Sequence, residues 1–158
     1  MKIVADASPL IALAILQKLD LLTSLFDDIL VPLTVFSEAT REDKPHAEHI
    51  RAFAQGFVVS AQNQLAVQVL LNDIDRGEAE AIVLALEKNV PDILIDDAKG
   101  RRVAQLNGLH PIGTVGVLLQ AKRIGHIQTI KPLLDTLIAN RMRISERLYQ
   151  QALQLAEE

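Results

Sequence analysis

The apolar positions along the chain fall into short runs that switch between a two-residue and a helical period. Residues 2–6 (KIVAD) form a compact apolar run closed by an acid, the pattern of a buried strand. Ser8 and Pro9 follow, and the pattern predicts a helix to about Gln17 with Ser8 as N-cap and Pro9 at its first position. Residues 29–31 are a second candidate strand, Pro32 opens a helix to about Arg41, and residues 46–55 are a helical stretch stopped by Gly56. Residues 57–60 (FVVS) read as strand, while 65–71 fit either period. Residues 77–89 carry Ala79, Ile82, Val83 and Leu86 as one helical stripe. Residues 93–95 (ILI) read as strand, 99–107 as a helix stopped by Gly108, and 109–112 as a last short strand. Helices are predicted over 114–123, 129–140 and 145–157. Strands separated by helices imply an α/β fold whose parallel sheet is covered on both faces. Ligands of such folds sit at the carboxyl ends of the strands.

That rule gives the acids a meaning. Asp6 ends the first strand, and Asp96 and Asp97 follow the ILI strand. Glu38 lies near the middle of the helix that begins at Pro32, and Glu78 and Glu80 stand at the start of the GEAEA helix. Parallel strands end on one edge, so acids far apart in sequence can converge. Mg²⁺ and Mn²⁺ prefer hard oxygen ligands, and two such ions can activate water and stabilise the leaving oxygen of a phosphodiester. Each acid has a plainer alternative. Asp6 and Asp97 stand where helix N-caps stand, and Glu38 can be a solvated face residue. Glu78 and Glu80, two apart, cannot share a helix face, and Asp96 and Asp97 should point to opposite sides of the strand. About four of the six are therefore expected at the metal. Thr114 either approaches that site or caps its own helix. His46, His49, His110 and His126 form no ligand spacing.

With these motifs in order, the sequence resembles the PIN-domain nucleases, and within them the branch around the VapC toxins. The matching pieces are DASPLI from Asp6, VPLTVFSEA with Glu38, GEAEAI from Gly77, ILIDDAKGRRVA from Ile93, GTVGVLLQAKRIG from Gly113 and RISERLYQQAL from Arg143. The resemblance implies a three-layer α/β/α sandwich and a Mg²⁺- or Mn²⁺-dependent endoribonuclease, many relatives being toxins with a small antitoxin partner. It carries the catalytic acids onto Asp6, Glu38, Glu80 and Asp97, with Glu78 and Asp96 as further metal ligands and Ser8 as the polar partner of Asp6. Glu at the third position and a double Asp at the fourth depart from the commoner pattern. A non-catalytic PIN-like module is therefore the alternative. A receiver domain wants its acid pair after the first strand, and here the pair comes late.

Composition refines the partner. The formal net charge of −4 argues against nucleic acid until its distribution is read. Residues 1–97 hold 7 basic and 16 acidic side chains, whereas residues 98–158 hold 9 and 4. An acidic front and a basic back suit a metal site beside a phosphate-binding surface, with RNA as substrate. Lys99, Arg101 and Arg102 are the candidate phosphate contacts, or else a solvated face or ion-pair partners of Glu78 or Asp96. Lys122, Arg123, Lys131, Arg141, Arg143 and Arg147 extend the candidate basic track. With no Trp and one Tyr, a base-stacking platform is not expected. The absence of Cys excludes thiol catalysis and disulfides. No apolar run reaches the roughly 20 residues of a membrane span, and no secretory signal is expected, so the expected location is the cytoplasm. The length predicts one domain over residues 1–158. Apolar stripes on the last two helices serve either the core or a homodimer seam.

Overall fold

The computed structural model describes residues 1–158. Five strands form one parallel sheet: β1 (Lys2–Ala5), β2 (Asp28–Pro32), β3 (Val58–Val59), β4 (Asp92–Leu94) and β5 (His110–Ile112). Their order is β3-β2-β1-β4-β5, with Val4 in register between Leu30 and Ile93. The chain leaves β1 towards β2 and β3, then returns to place β4 and β5 on the other side. The topological switch therefore lies between β1 and β4, where a crevice opens beyond the strand ends.

Alternation along the strands explains the layers. Ile3, Ala5, Ile29, Val31 and Leu94 enter one core, and Val4, Ile93 and Ile95 enter the other. The first core is closed by α1 (Ala7–Ile15), α2 (Asp20–Leu25), α3 (Leu33–Ala39) and α4 (Ala47–Ala54), with α8 (Thr114–Arg123), α9 (Lys131–Ala139) and α10 (Glu146–Leu155). The second is closed by α5 (Gln64–Leu70), α6 (Arg76–Glu87) and α7 (Ala98–Leu106). The result is the three-layer α/β/α sandwich with a short central sheet. Because both faces are covered, the strands read as continuous apolar runs, and each buried Ile or Leu contributes about 1.5–3 kcal/mol. No helix is long and apolar enough to cross a membrane.

Four details differ from the sequence reading or settle it. Residues 20–25 form a helix that the pattern did not predict, and residues 64–70 settle as helix, with the Asn63 side chain accepting from the Ala66 amide at 3.1 Å. The first helix begins at Ala7, so Asp6 rather than Ser8 is its N-cap residue, and Pro9 is third in the helix. At α8 the N-cap residue is Gly113, and Thr114 is the first helical residue rather than a cap.

Candidate active site

Asp6 stands at the crevice. Its amide donates to the Leu94 carbonyl at 2.9 Å, which continues the β1–β4 pairing to the strand end. From there its side chain has the N-cap position of α1, yet it makes no capping hydrogen bond. The third amide of a helix is a usual partner of an N-cap side chain, and here that position is Pro9, which has no N–H. The carboxyl is thus left unclaimed by its own helix while only 6 % exposed. Burial pushes it up to about 7; Asp75, Glu38 and Asp96 add to the rise, and the Ala7 amide opposes it.

The start of α6 supplies the next acids. Asp75 and Glu78 form a reciprocal capping box: the Glu78 amide donates to Asp75 Oδ1 at 2.8 Å, and the Asp75 amide donates to Glu78 Oε1 at 3.3 Å. Burial, then the charges of Asp75, Asp6 and Asp97, push Glu78 up to about 8, against the hydrogen bond from the Asp75 amide. Two glycines make this approach possible. A Cβ on Gly77 would stand 3.2 Å from Glu38 Oε2 and 3.6 Å from Asp6 Oδ1, so α3, α6 and the end of β1 bring both acids to one point. A Cβ on Gly100 would stand 2.5 Å from Glu78 Oε2, so α7 can pass Glu78 only with glycine there. Glu80 does not share this arrangement. It is 8 % exposed, its Oε1 is 3.9 Å from Arg76 Nη1, and it is not among the charges that act on Asp6 or Glu78.

The acids after β4 are differently employed. The strand ends at Leu94, so Asp96 and Asp97 lie beyond it rather than on opposite sides of it. Asp97 is the N-cap of α7, and its Oδ2 accepts from the Gly100 amide at 3.0 Å. Asp96 accepts from the Thr114 amide at 2.7 Å and from Thr114 Oγ1 at 2.6 Å. Burial pushes Asp96 up; the two hydrogen bonds from Thr114 and the nearby Arg101 guanidinium pull it down. Arg101 is anchored by donating to the Ile95 carbonyl at 3.0 Å. Thr114, fully buried, thus holds Asp96 at the crevice. Ser8 is exposed and lines a cleft with Asp96 and Asp97. Lys99 and Arg102 are exposed on α7 and line neither of the two clefts that flank Asp96.

The decisive observation comes from comparison with known families. The family model described as DUF3368: PIN domain matches residues 2–158. The chain belongs to the PIN-domain family. Neither the curated proteins nor the solved structures gave a match. PIN domains are generally nucleases, hydrolases that typically use divalent metals.

In this PIN domain, the sequence reading found Asp6, Glu38, Glu78 and Asp96, which the structure brings to the crevice. It favoured Glu80 and Asp97; in the structure Glu80 lies against Arg76, whereas Asp97 caps α7 and its charge also acts on Glu78. It also missed Asp75, although the Asp-x-x-Glu capping-box spacing was there to be read. As the side chains stand, no three of these acids close on one point at ligating distance. The donor set nevertheless has the chemistry for a hard divalent ion. Asp6, Glu38, Asp75 and Glu78 are neighbours with no ion pair to any Lys or Arg among them; burial first, and then their mutual charge, raises the Asp6 and Glu78 carboxyls. Half-buried Glu38 and exposed Asp75 have room to turn.

Proposed function

We propose that this PIN domain is a Mg²⁺- or Mn²⁺-dependent endoribonuclease, with Asp6, Glu38 and Glu78 as the principal metal ligands and Asp75 and Asp96 beside them. The observation that carries the reading is Asp6: a buried carboxyl at a strand end that makes no capping hydrogen bond and no ion pair, under the charges of Asp75, Glu38 and Asp96. A bound divalent ion would supply Lewis acidity for hydrolysing a phosphodiester. The chain's own contribution is placement. The end of β1 fixes Asp6, the Asp75 amide orients Glu78, and Thr114 fixes Asp96. Asp97 keeps one carboxyl oxygen on the Gly100 amide, so its part is to fix the start of α7. Glu80, against Arg76, is a structural acid in this reading. Ser8 offers its hydroxyl to the substrate at the rim. A place as the toxin of a toxin–antitoxin pair in the cytoplasm, with a small antitoxin over the acidic crevice, rests on the resemblance to that branch. A single domain over residues 1–158 fits the two cores sharing one sheet. Exposed Ile138, Leu148 and Leu155 on the last two helices are where a homodimer seam would form.

The test is Asp6→Asn with single-stranded RNA and Mn²⁺. Disturbing a metal's supporting contacts typically costs 10–100-fold, so removing the central ligand should lower cleavage by about 100-fold or more. Equal cleavage by mutant and wild type would overturn the reading. Calorimetry separates the non-catalytic alternative: a module that takes up neither Mg²⁺ nor Mn²⁺ at millimolar concentration is not this enzyme.

A further inference from the structure

The connection from α9 to α10 forms one wall of the cleft beside the acids. Asn140, Arg141 and Arg143 line it opposite Ser8, Asp96 and Asp97, around a volume of about 350 Å³. That volume lies within the roughly 300–1,000 Å³ of small-ligand pockets. Ile11 and Leu137 give the cleft an apolar floor. Arg143 also lines the second cleft, on the other side of Asp96. The two arginines thus stand along a path that passes over the crevice.

Their state differs from that of the other arginine at this edge. Arg101 is anchored on the Ile95 carbonyl, as described above, whereas Arg141 and Arg143 are exposed and make no ion pair or side-chain hydrogen bond within the protein. Their backbone, in contrast, is fixed. The Arg141 amide donates to Ile138 at 3.0 Å, and the Met142 amide donates to Leu137 at 3.0 Å. Residues 141–144 alternate outward and inward, with half-buried Met142 and Ile144 packed on the first core. Arg141, in the left-handed turn that closes α9 (φ 69°), and Arg143, between half-buried Met142 and Ile144, both line the cleft. Two unpaired guanidiniums on a fixed backbone beside a carboxylate crevice fit one ligand chemistry: an anion that reaches the acids without being one of them. A phosphodiester chain meets that demand, because its phosphates repeat along the strand.

We propose that Arg141 and Arg143 bind the backbone phosphates of single-stranded RNA next to the scissile one, holding the strand across Asp96 with a nucleoside over the apolar floor. Fork-shaped guanidiniums pair bidentately with phosphate oxygens, and the anchored loop has little entropy left to lose on binding. The proposal rests on the nuclease reading above, and it adds where the strand runs.

The experiment measures binding of a single-stranded RNA by fluorescence anisotropy over a salt series, in the full chain carrying Asp6→Asn so that the RNA stays intact. Each phosphate contact on a single strand contributes about 0.7 to the slope of log K against log salt. Adding Arg141→Gln and Arg143→Gln should lower the slope by about 1.4 and the affinity near 0.1 M salt by roughly tenfold or more. The melting temperature should stay unchanged, since neither guanidinium has a partner to lose. Lys2→Gln with Lys88→Gln, which removes two exposed cations outside the basic track, should leave the slope in place. An unchanged slope in the Arg141/Arg143 variant, while wild type still cleaves RNA, overturns this proposal and leaves the nuclease reading standing. An equal fall in the Lys2/Lys88 control reduces the effect to bulk charge and also overturns it. Failure of wild type either to bind or to cleave RNA overturns both.

Discussion

The ends of β1 and β4 are neighbours, both carry aspartates, and both lead into helices, yet the acids have opposite fates. After β4, Asp97 accepts from the Gly100 amide and Asp96 from the Thr114 amide and hydroxyl. After β1, Asp6 occupies the same kind of N-cap position and accepts no capping hydrogen bond. The difference teaches that a strand-end position brings an acid to the crevice but does not decide its task. What decides is whether the N–H groups of an adjoining helix claim the carboxylate. At β4 two helices make that claim. At β1 the third helical residue is Pro9, and the claim lapses.

The largest effect should come from removing the unclaimed charge. Both Asp6 and Glu78 have higher pKa values folded than unfolded. Their contribution to stability is therefore fully present below about pH 4 and is lost as pH rises through about 7 for Asp6 and about 8 for Glu78. Without divalent metal, Asp6→Asn should stabilise the fold at pH 8 by up to about 4 kcal/mol, at about 1.4 kcal/mol per pKa unit, and change little at about pH 3.5, below the unfolded pKa. Urea unfolding at the two pH values measures it. A mutant that is less stable at pH 8 would mean that Asp6 holds its helix after all, and the contrast between the strand ends would collapse.

Next in size is Gly100→Ala, where the acids of the two regions meet. The new Cβ would lie 2.5 Å from Glu78 Oε2 and 2.6 Å from Ile95 Cδ1. Overpacking costs about 1–3 kcal/mol, and the helix preference of Ala over Gly returns roughly 1. A net loss of up to about 2 kcal/mol is expected, with Glu78 displaced and metal affinity weakened by calorimetry. Unchanged stability and metal affinity would show that Glu78 is not wedged against α7. Asp97→Ala should cost about 1 kcal/mol, the worth of an N-cap, at any pH well above the carboxylate range. Equal losses from Asp97→Ala and Asp6→Ala would erase the distinction.

How much of this could be read in the sequence follows the same division. The strands and most helices were legible because their apolar periods are unbroken and flanked by Gly, Pro or an acid. The helix at residues 20–25 was not, because six residues (DLLTSL) give too few turns for a period to register. The crevice was legible as well: strand-end acids and the parallel sheet together place Asp6 and Asp96. How the members of Glu78/Glu80 and Asp96/Asp97 are placed was not, since it depends on which helix passes close by, and Gly100 shows that only once α7 is packed. Asp75 escaped because a helix cap was read as a competitor to function, whereas here one residue caps α6 and adds charge to the site.

The smallest effect is the sharpest test of why Asp6 is free. Pro9→Ala restores the N–H at the third position of α1 and leaves every acid in place. The Asp6 carboxylate would then have a capping donor, and hydrogen bonding to the charged form lowers a carboxyl pKa. The Asp6 carboxyl should titrate below its present value of about 7, on the order of one unit lower, as followed by carboxyl carbon NMR. Stability should move by less than about 1 kcal/mol, because a new cap and the loss of proline packing and rigidity oppose each other. Metal affinity should fall, since the ion must now compete with an amide for the same oxygen. An Asp6 titration identical in Pro9→Ala and wild type would locate its freedom elsewhere, in the direction that β1 gives the side chain rather than in the missing donor of Pro9.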